Sequence, residues 1–128
     1  MRESSGTAEK IDNLGKNTVS ERLNLITPLG YLEFLSLTSH ASVVLTDSGG
    51  IQEETTYLGI PCLTARPNTE RPVTISKGTN KLIASSSEVI FSEVQRVLEQ
   101  NASTSTRPDL WDGKAAERIV QVLLAEIV

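Results

Sequence analysis

Short apolar runs alternate along the chain with longer segments whose apolar residues recur at helical spacing. Four of the runs predict strands: residues 23–26, 41–45, 61–64 and 81–83. Each run is short, is mainly apolar and ends close to polar residues, proline or glycine. Because such strands bury both faces, the pattern favours a parallel sheet with helices on each side.

The helical segments lie between and after these runs. Helical spacing predicts helices over residues 8–15, 31–39, 51–58 and 88–100, and from about residue 113 to the C-terminus. Gly15 and Gly59 stand where glycine commonly ends a helix, and residues 66–72 read as a polar loop. Strands and helices therefore alternate, which predicts a doubly wound α/β fold. Such folds bind ligands outside the carboxyl ends of the strands.

A glycine turn follows the predicted strand 41–45 and leads into a helix. Its residues are Asp47, Ser48, Gly49 and Gly50. Two glycines at a helix start let a ligand approach the backbone closely, and the first-turn amides with the helix dipole favour an anion. The Ser48 hydroxyl can cap the helix or donate to a phosphate oxygen. A diphosphate suits this turn, although the same pattern also occurs in plain strand-to-helix connections.

Charged residues near this turn extend the candidate site. Glu54 lies further along the helix. Its carboxylate can accept hydrogen bonds from both vicinal hydroxyls of a ribose. Arg71, in the loop after the next strand, can contact phosphate or hold a carboxylate such as Glu54 or Glu70. The alternatives are a solvated helix face for Glu53 and Glu54 and a surface ion pair for Arg71.

Composition narrows the class of protein. A chain of 128 residues fits one domain, and with aromatic residues at 4% we expect an aliphatic core. The formal net charge of -4, without a basic cluster, argues against a nucleic-acid partner. No segment has the length and apolarity of a transmembrane helix or the pattern of a signal peptide. We therefore expect no membrane partner and a cytoplasmic location, in keeping with a single cysteine.

Three single residues carry structural expectations. Cys62 lies among apolar neighbours in a predicted strand, which favours packing over chemistry. His40 stands between a helix and a strand, and we expect it at the surface. Trp111 precedes the last helix and is predicted to anchor it. The residues alone predict neither a metal site nor a catalytic group.

Four short runs stand out together along the middle of the chain. They are Leu45-Thr46-Asp47-Ser48-Gly49-Gly50-Ile51-Gln52-Glu53-Glu54, Leu58-Gly59-Ile60-Pro61-Cys62-Leu63, Asn68-Thr69-Glu70-Arg71-Pro72 and Gly78-Thr79-Asn80. These runs resemble the signature of the bacterial non-hydrolysing UDP-N-acetylglucosamine 2-epimerases. The resemblance extends upstream through residues 28–34 and downstream through residues 110–119, and it is weak over residues 1–22.

The resemblance implies a Rossmann-like, three-layer α/β fold with a parallel sheet, forming the C-terminal half of a two-domain GT-B fold. Residues 1–128 would then be a single domain that binds UDP or a UDP-N-acetylhexosamine. Carried over by position, Leu29 and Phe34 would lie against the uracil and Glu54 would bind the ribose. The diphosphate would be held by Ser48, Gly49 and Gly50, with Arg71 on the phosphate side.

The activity implied by the resemblance interconverts UDP-N-acetylglucosamine and UDP-N-acetylmannosamine. UDP is eliminated to give a 2-acetamidoglucal and is then added back with inversion at C2, without an external cofactor or metal. The family's candidate acid and base residues match no position of this chain, so we expect no catalytic residue here and no turnover by the chain alone. A homodimer is implied as well, because full-length members of this kind are typically dimers.

Two other functions remain open from the sequence. One is the donor-binding half of another GT-B glycosyltransferase, which would share the glycine turn and the ribose carboxylate. The run Thr69-Glu70-Arg71-Pro72 favours the epimerases over this alternative. The other is a non-catalytic module that binds a nucleotide sugar.

Overall fold

The computed structural model describes residues 23–100 and 107–127. Contacts divide the chain into two units, Met1–Gly30 and Tyr31–Val128. In the first unit, residues 23–30 are exposed and form no regular secondary structure. The strand predicted at residues 23–26 is therefore wrong, because this apolar run pairs with no strand among the described residues. The helix predicted at residues 8–15 lies outside them.

A parallel sheet forms the centre of the second unit. Its described strands are β1 (Val44–Thr46), β2 (Cys62–Thr64) and β3 (Asn80–Leu82), in the order β1-β2-β3. Val44 is in register with Cys62, and Cys62 with Asn80. Three of the four predicted strands are thus confirmed, each slightly shifted or shortened at its ends.

Five helices accompany these strands in the part of the chain that the structure describes. Their bounds are α1 (Tyr31–Ser39), α2 (Gly49–Leu58), α3 (Pro72–Ser76), α4 (Ser87–Gln100) and α5 (Ala115–Ile127). Gly59 ends α2 in the left-handed conformation, with φ 76°, and its amide donates to the carbonyl oxygens of Thr55 and Thr56. This is the ending that the glycine predicted, since a left-handed residue is strained unless it is glycine.

Helix α3 is the one helix of this unit that the sequence does not predict. Its five residues begin at Pro72, the last residue of the predicted polar loop, and proline is well tolerated at the first position of a helix. Its start is held by hydrogen bonds from the Thr74 amide and hydroxyl to the carbonyl oxygen of Arg71. A helix this short has no room for a visible apolar periodicity.

The buried residues are more polar than the sequence suggests. Among the described residues, the buried apolar side chains are Cys62, Leu63 and Ile83, whereas the buried polar ones are Thr38, Gln52, Thr55, Thr56, Thr64, Thr74 and Asn80. The expectation of an aliphatic core is therefore wrong around the sheet. Several of these polar side chains hydrogen-bond to one another, which offsets the cost of removing them from water.

The last two helices are amphipathic and bury none of their described residues. In α5 the predicted apolar stripe is at the surface, with Ile119, Val120, Leu123 and Ile127 all more than half exposed. The turn before α5 is closed by Asp112, which accepts two hydrogen bonds from the Arg118 guanidinium at 2.9 and 3.0 Å. Those bonds, with one from the Lys114 amide, lower the pKa of Asp112 to about 2.

Between residues 23 and 127, apart from the gap at 101–106, no helix combines the length and apolarity that a membrane crossing requires.

Candidate functional site

The carboxyl end of β1 leads directly into the glycine turn. Ser48 caps α2 with an extended backbone, φ -86° and ψ 132°, and its amide donates to the Thr46 hydroxyl at 3.0 Å. The Ser48 hydroxyl itself makes no capping hydrogen bond to the helix. The first-turn amides of α2 therefore have no side-chain cap from this residue. Uncapped amides at a helix start are suited to binding an anion.

The two glycines of the turn are required neither by backbone conformation nor by packing. Both lie inside α2, and neither is among the glycines with positive φ. A Cβ on Gly50 would meet nothing within 4 Å, and one on Gly49 would meet only Glu70 Oε2, at 3.8 Å. Glycine costs about 0.8–1 kcal/mol relative to alanine in a helix interior, and less in the first turn, where both glycines lie. The space beside Gly50 would allow a ligand to approach the backbone closely.

A groove of about 460 Å³ lies along the same helix. Its walls carry apolar and aromatic side chains together with two adjacent carboxylates. The lining residues are Tyr31, Leu35, Glu53, Glu54, Tyr57, Leu58 and Trp111. Glu54 stands four residues after Gly50, about one helical turn, so both lie on one side of α2. The glycine turn does not itself line the groove, but the carboxylate that the sequence assigned to a ribose follows it on the same helix.

Neither of the two residues assigned to the uracil, Leu29 and Phe34, lines the groove. Phe34 lies in α1 and is half-buried, but the residues of α1 that line the groove are Tyr31 and Leu35. Leu29 belongs to the first unit, where it is 39% exposed. Their role against a base stays a prediction.

Arg71 lies beside the groove in a surface ion pair, the alternative that the sequence left open, but with a partner that the sequence did not indicate. Its Nε is 3.1 Å from Glu53 Oε1, and the two side chains are 45% and 43% exposed. Neither Glu54 nor Glu70 is its ion-pair partner, and Glu70 pairs with Arg66 at 3.2 Å. A hydrogen bond from its own backbone amide and the Arg66 guanidinium lower the pKa of Glu70. An ion pair this exposed contributes only about 0–1 kcal/mol, so an anionic ligand can displace it.

A buried hydrogen-bond network supports the turn and the loop that carries Arg71. At its centre Gln52 Oε1 accepts from Thr69 Oγ1 at 2.6 Å and from Asn80 Nδ2 at 3.0 Å. Asn80 also bonds to Thr64 and Thr74, at 2.6 and 3.2 Å. None of these residues was predicted to have a role: Gln52, Thr69 and Asn80 lie within the family-like runs, and Thr64 and Thr74 lie outside them.

The signal that could have revealed this network is the spacing of polar residues on α2. Gln52, Thr55 and Thr56 recur at helical spacing and form the buried face of the helix, where apolar residues would ordinarily stand. A polar inner face requires hydrogen-bond partners. Thr69 and Asn80 supply them for Gln52, and the Thr55 hydroxyl donates to carbonyl oxygens of α2 itself. Among the described residues, the buried Thr56 hydroxyl has no hydrogen-bond partner.

Two further expectations are confirmed. Cys62 is 1% exposed within β2, and burial raises the pKa of its thiol, so it packs rather than reacts. His40 is exposed, with Nδ1 within 2.8 Å of the Ser36 carbonyl oxygen and 3.1 Å of the Ser39 hydroxyl. In the described part of the chain, no three side chains of His, Cys, Asp or Glu cluster as metal ligands would.

This arrangement defines the class of protein. It is a Rossmann-like α/β protein with a parallel sheet, in which the helix that follows β1 has no side-chain cap at its start and carries two carboxylates, one of them paired with Arg71. The family model for UDP-N-acetylglucosamine 2-epimerase matches residues 3–124. This chain belongs to that family.

Individual relatives agree with the family model. UDP-N-acetylglucosamine 2-epimerase of Methanocaldococcus jannaschii is 42% identical over 104 residues, covering 81% of this chain and 28% of the relative. The Salmonella typhimurium enzyme of the same name is 45% identical over 108 residues, covering 80% and 28%. The chain thus spans less than a third of the length of these curated relatives.

Solved structures of the family share the fold. The M. jannaschii UDP-GlcNAc 2-epimerase in complex with UDP-GlcNAc and UDP superposes with a TM-score of 0.75 at 39% identity, over 94% of this chain and 32% of that one. The Neisseria meningitidis UDP-GlcNAc 2-epimerase bound to UDP-GlcNAc gives 0.77 at 33% identity, over 98% and 35%. The predicted fold class is confirmed, and the family decides against a glycosyltransferase.

Proposed function

We propose that this chain is the C-terminal, UDP-binding part of a UDP-N-acetylglucosamine 2-epimerase. The observation that carries the proposal is the open side of Gly50, beside a Ser48 hydroxyl that does not cap its helix. Family relatives whose structures hold UDP-GlcNAc or UDP support it. That residues 1–128 form one domain, in the cytoplasm, stays a prediction.

Each candidate residue has a role that its chemistry suits. The first-turn amides at Gly49 and Gly50, with the Ser48 hydroxyl, hold the diphosphate. Arg71 exchanges Glu53 for phosphate, since its guanidinium suits phosphate as well as carboxylate and the present ion pair is exposed. Glu54 accepts hydrogen bonds from the two ribose hydroxyls, and Leu29 and Phe34 each stay a candidate contact of the uracil.

The groups proposed to hold the diphosphate also suit the proposed reaction. When the bond between the sugar C1 and the diphosphate oxygen breaks, the departing UDP gains negative charge. Amides and a guanidinium that are already oriented towards the diphosphate stabilise this charge more than that of the bound substrate. The residues described here would thus hold the leaving group, and proton transfer at C2 would belong to residues outside this chain.

The single tryptophan provides a direct binding assay. Trp111 lines the groove with Glu53 and Glu54, so UDP should change its fluorescence as it binds. Arg71→Ala should weaken UDP binding about ten- to a hundredfold, the usual value of a hydrogen bond to a charged group. Glu54→Gln should weaken UDP binding less, because the amide oxygen still accepts a hydrogen bond from one ribose hydroxyl.

Matched controls are available in α4. Arg96→Ala and Glu99→Gln make the same chemical changes on an exposed helix outside the groove, and should leave UDP affinity unchanged. UMP should bind more weakly than UDP if the turn holds both phosphates. Wild-type protein that shows no UDP binding by fluorescence or calorimetry would refute the proposed function.

Turnover separates a binding part from a complete enzyme. We expect no conversion of UDP-N-acetylmannosamine by the 128-residue chain in a coupled assay, because proton transfer at C2 requires acid and base groups that the family signature does not place here. Measurable turnover by the chain alone, with UDP binding intact, would contradict this division of roles. Binding without turnover also fits a non-catalytic module.

Self-association is the partner prediction that the structure makes testable. We propose a homodimer that covers the exposed stripe of α5, since an apolar surface of this kind favours burial. Light scattering should give twice the mass of one chain, and Leu123→Glu with Ile127→Glu should give a monomer. A wild-type monomer that binds no hydrophobic dye would count against it.

A further inference from the structure

The hydroxyl of Thr69 connects the two parts of the candidate site. It donates to Gln52 Oε1 at 2.6 Å and accepts from the Arg71 amide at 3.0 Å. One side chain thus joins α2, which carries the glycine turn, to the loop that carries Arg71. Thr69 itself is half-buried.

The anchor on the α2 side is rigid. Gln52 is fully buried, and its amide nitrogen donates to the Ser48 carbonyl oxygen at 3.3 Å. Its oxygen is also held by Asn80, which Thr64 and Thr74 fix in turn. Moving Gln52 would leave several buried polar groups without partners, a cost that keeps the whole network in one arrangement.

The anchor on the loop side holds both backbone groups of one residue. The Arg71 amide donates to Thr69, and the Arg71 carbonyl oxygen accepts from the Thr74 hydroxyl at 2.7 Å. The guanidinium then reaches Glu53, the residue next to Gln52 in α2. The position of Arg71 relative to the start of α2 is therefore defined by the link through Thr69.

We propose that Thr69 is a positioning residue, which sets the distance between the Arg71 guanidinium and the glycine turn and so prepares both for one diphosphate. It touches neither substrate nor reacting atoms. The proposal rests on the proposed function, because a diphosphate is the ligand that needs both groups together. Positioned donors bind such an anion without reorganising when it arrives, which is how preorganisation increases affinity.

Two substitutions test the hydroxyl. Thr69→Val keeps the shape and removes the hydroxyl, whereas Thr69→Ser keeps the hydroxyl. Thr69→Val should weaken UDP binding about tenfold, the usual effect of one lost hydrogen bond. Thr69→Ser should stay within about twofold of the wild type, the margin expected for independent effects. Equal losses in the two variants would overturn the proposal.

A double-mutant cycle separates positioning from general stability. In an Arg71→Ala background, Thr69→Val should change UDP affinity by less than about twofold, because the group it positions is gone. A merely structural Thr69 would cause the same loss with or without Arg71, and that result would overturn the proposal. Thermal denaturation of each variant shows that the protein is folded.

A second readout does not depend on UDP. The Arg71 amide should exchange its hydrogen faster in Thr69→Val than in the wild type or in Thr69→Ser, because its acceptor is lost. If the wild type does not bind UDP, the proposed function fails while the link through Thr69 is still judged by this exchange rate. Unchanged exchange in Thr69→Val would overturn the link itself.

Discussion

Gly78→Ala is expected to destabilise the protein by about 3 kcal/mol, at the upper end of the cost of overpacking a core. The new Cβ would lie 2.4 Å from the Thr74 carbonyl oxygen and 2.5 and 2.6 Å from two side-chain atoms of Thr56. Both threonines are buried, so neither can move away into solvent. One of the clashing atoms belongs to the backbone of α3, and relief would require the helix to shift.

Thermal unfolding followed by circular dichroism measures this effect. For a domain of about 100 residues, a loss of this size should lower the melting temperature by roughly 10 °C or more. Gly50→Ala is the matched control, because its Cβ would meet no atom within 4 Å. A melting temperature for Gly78→Ala within about 2 °C of the wild type would contradict the close contact.

Local signals in the sequence predicted the elements that form locally. Gly59 marks the end of α2 because the left-handed conformation of that residue favours glycine in any tertiary context. The alternation of strands and helices likewise predicted a parallel sheet. Residues 23–26 look the same in sequence, but a strand also needs a neighbour to pair with, and apolar character does not supply one.

The candidate site likewise has one part that the sequence predicted and one that it did not. The turn at Ser48 and Gly50 could be predicted because a strand, two glycines and a helix occur in order along the chain. The partner of Arg71 could not be predicted, since Glu70 is adjacent to it in sequence whereas Glu53 is distant, and only the folded loop selects Glu53. The burial of polar Gln52 could not be predicted for the same reason, because its partners Thr69 and Asn80 are distant in sequence.

Gly50→Ala should weaken UDP binding without lowering stability, whereas Gly78→Ala lowers stability. Alanine is favoured over glycine by about 0.8–1 kcal/mol in a helix interior and by a smaller amount in the first turn, where Gly50 lies, so the variant should melt at the same or a slightly higher temperature. Its methyl group would project into the open space beside the backbone, where the diphosphate is proposed to lie. UDP affinity should fall about ten- to a hundredfold, the equivalent of about 1.4–2.8 kcal/mol of overpacking.

The phosphate dependence of that loss identifies its cause. Fluorescence of Trp111 and calorimetry should show weaker binding of UDP and of inorganic pyrophosphate to Gly50→Ala, whereas uridine, which has no phosphate, should bind both proteins equally. Unchanged UDP affinity in a variant of unchanged or raised stability would place the diphosphate away from α2. A glycine that lowers helix stability and leaves ligand binding unaffected would then have no role here, since neither φ nor packing requires it. A selective loss of phosphate-containing ligands would instead show that its lack of a side chain serves the anion.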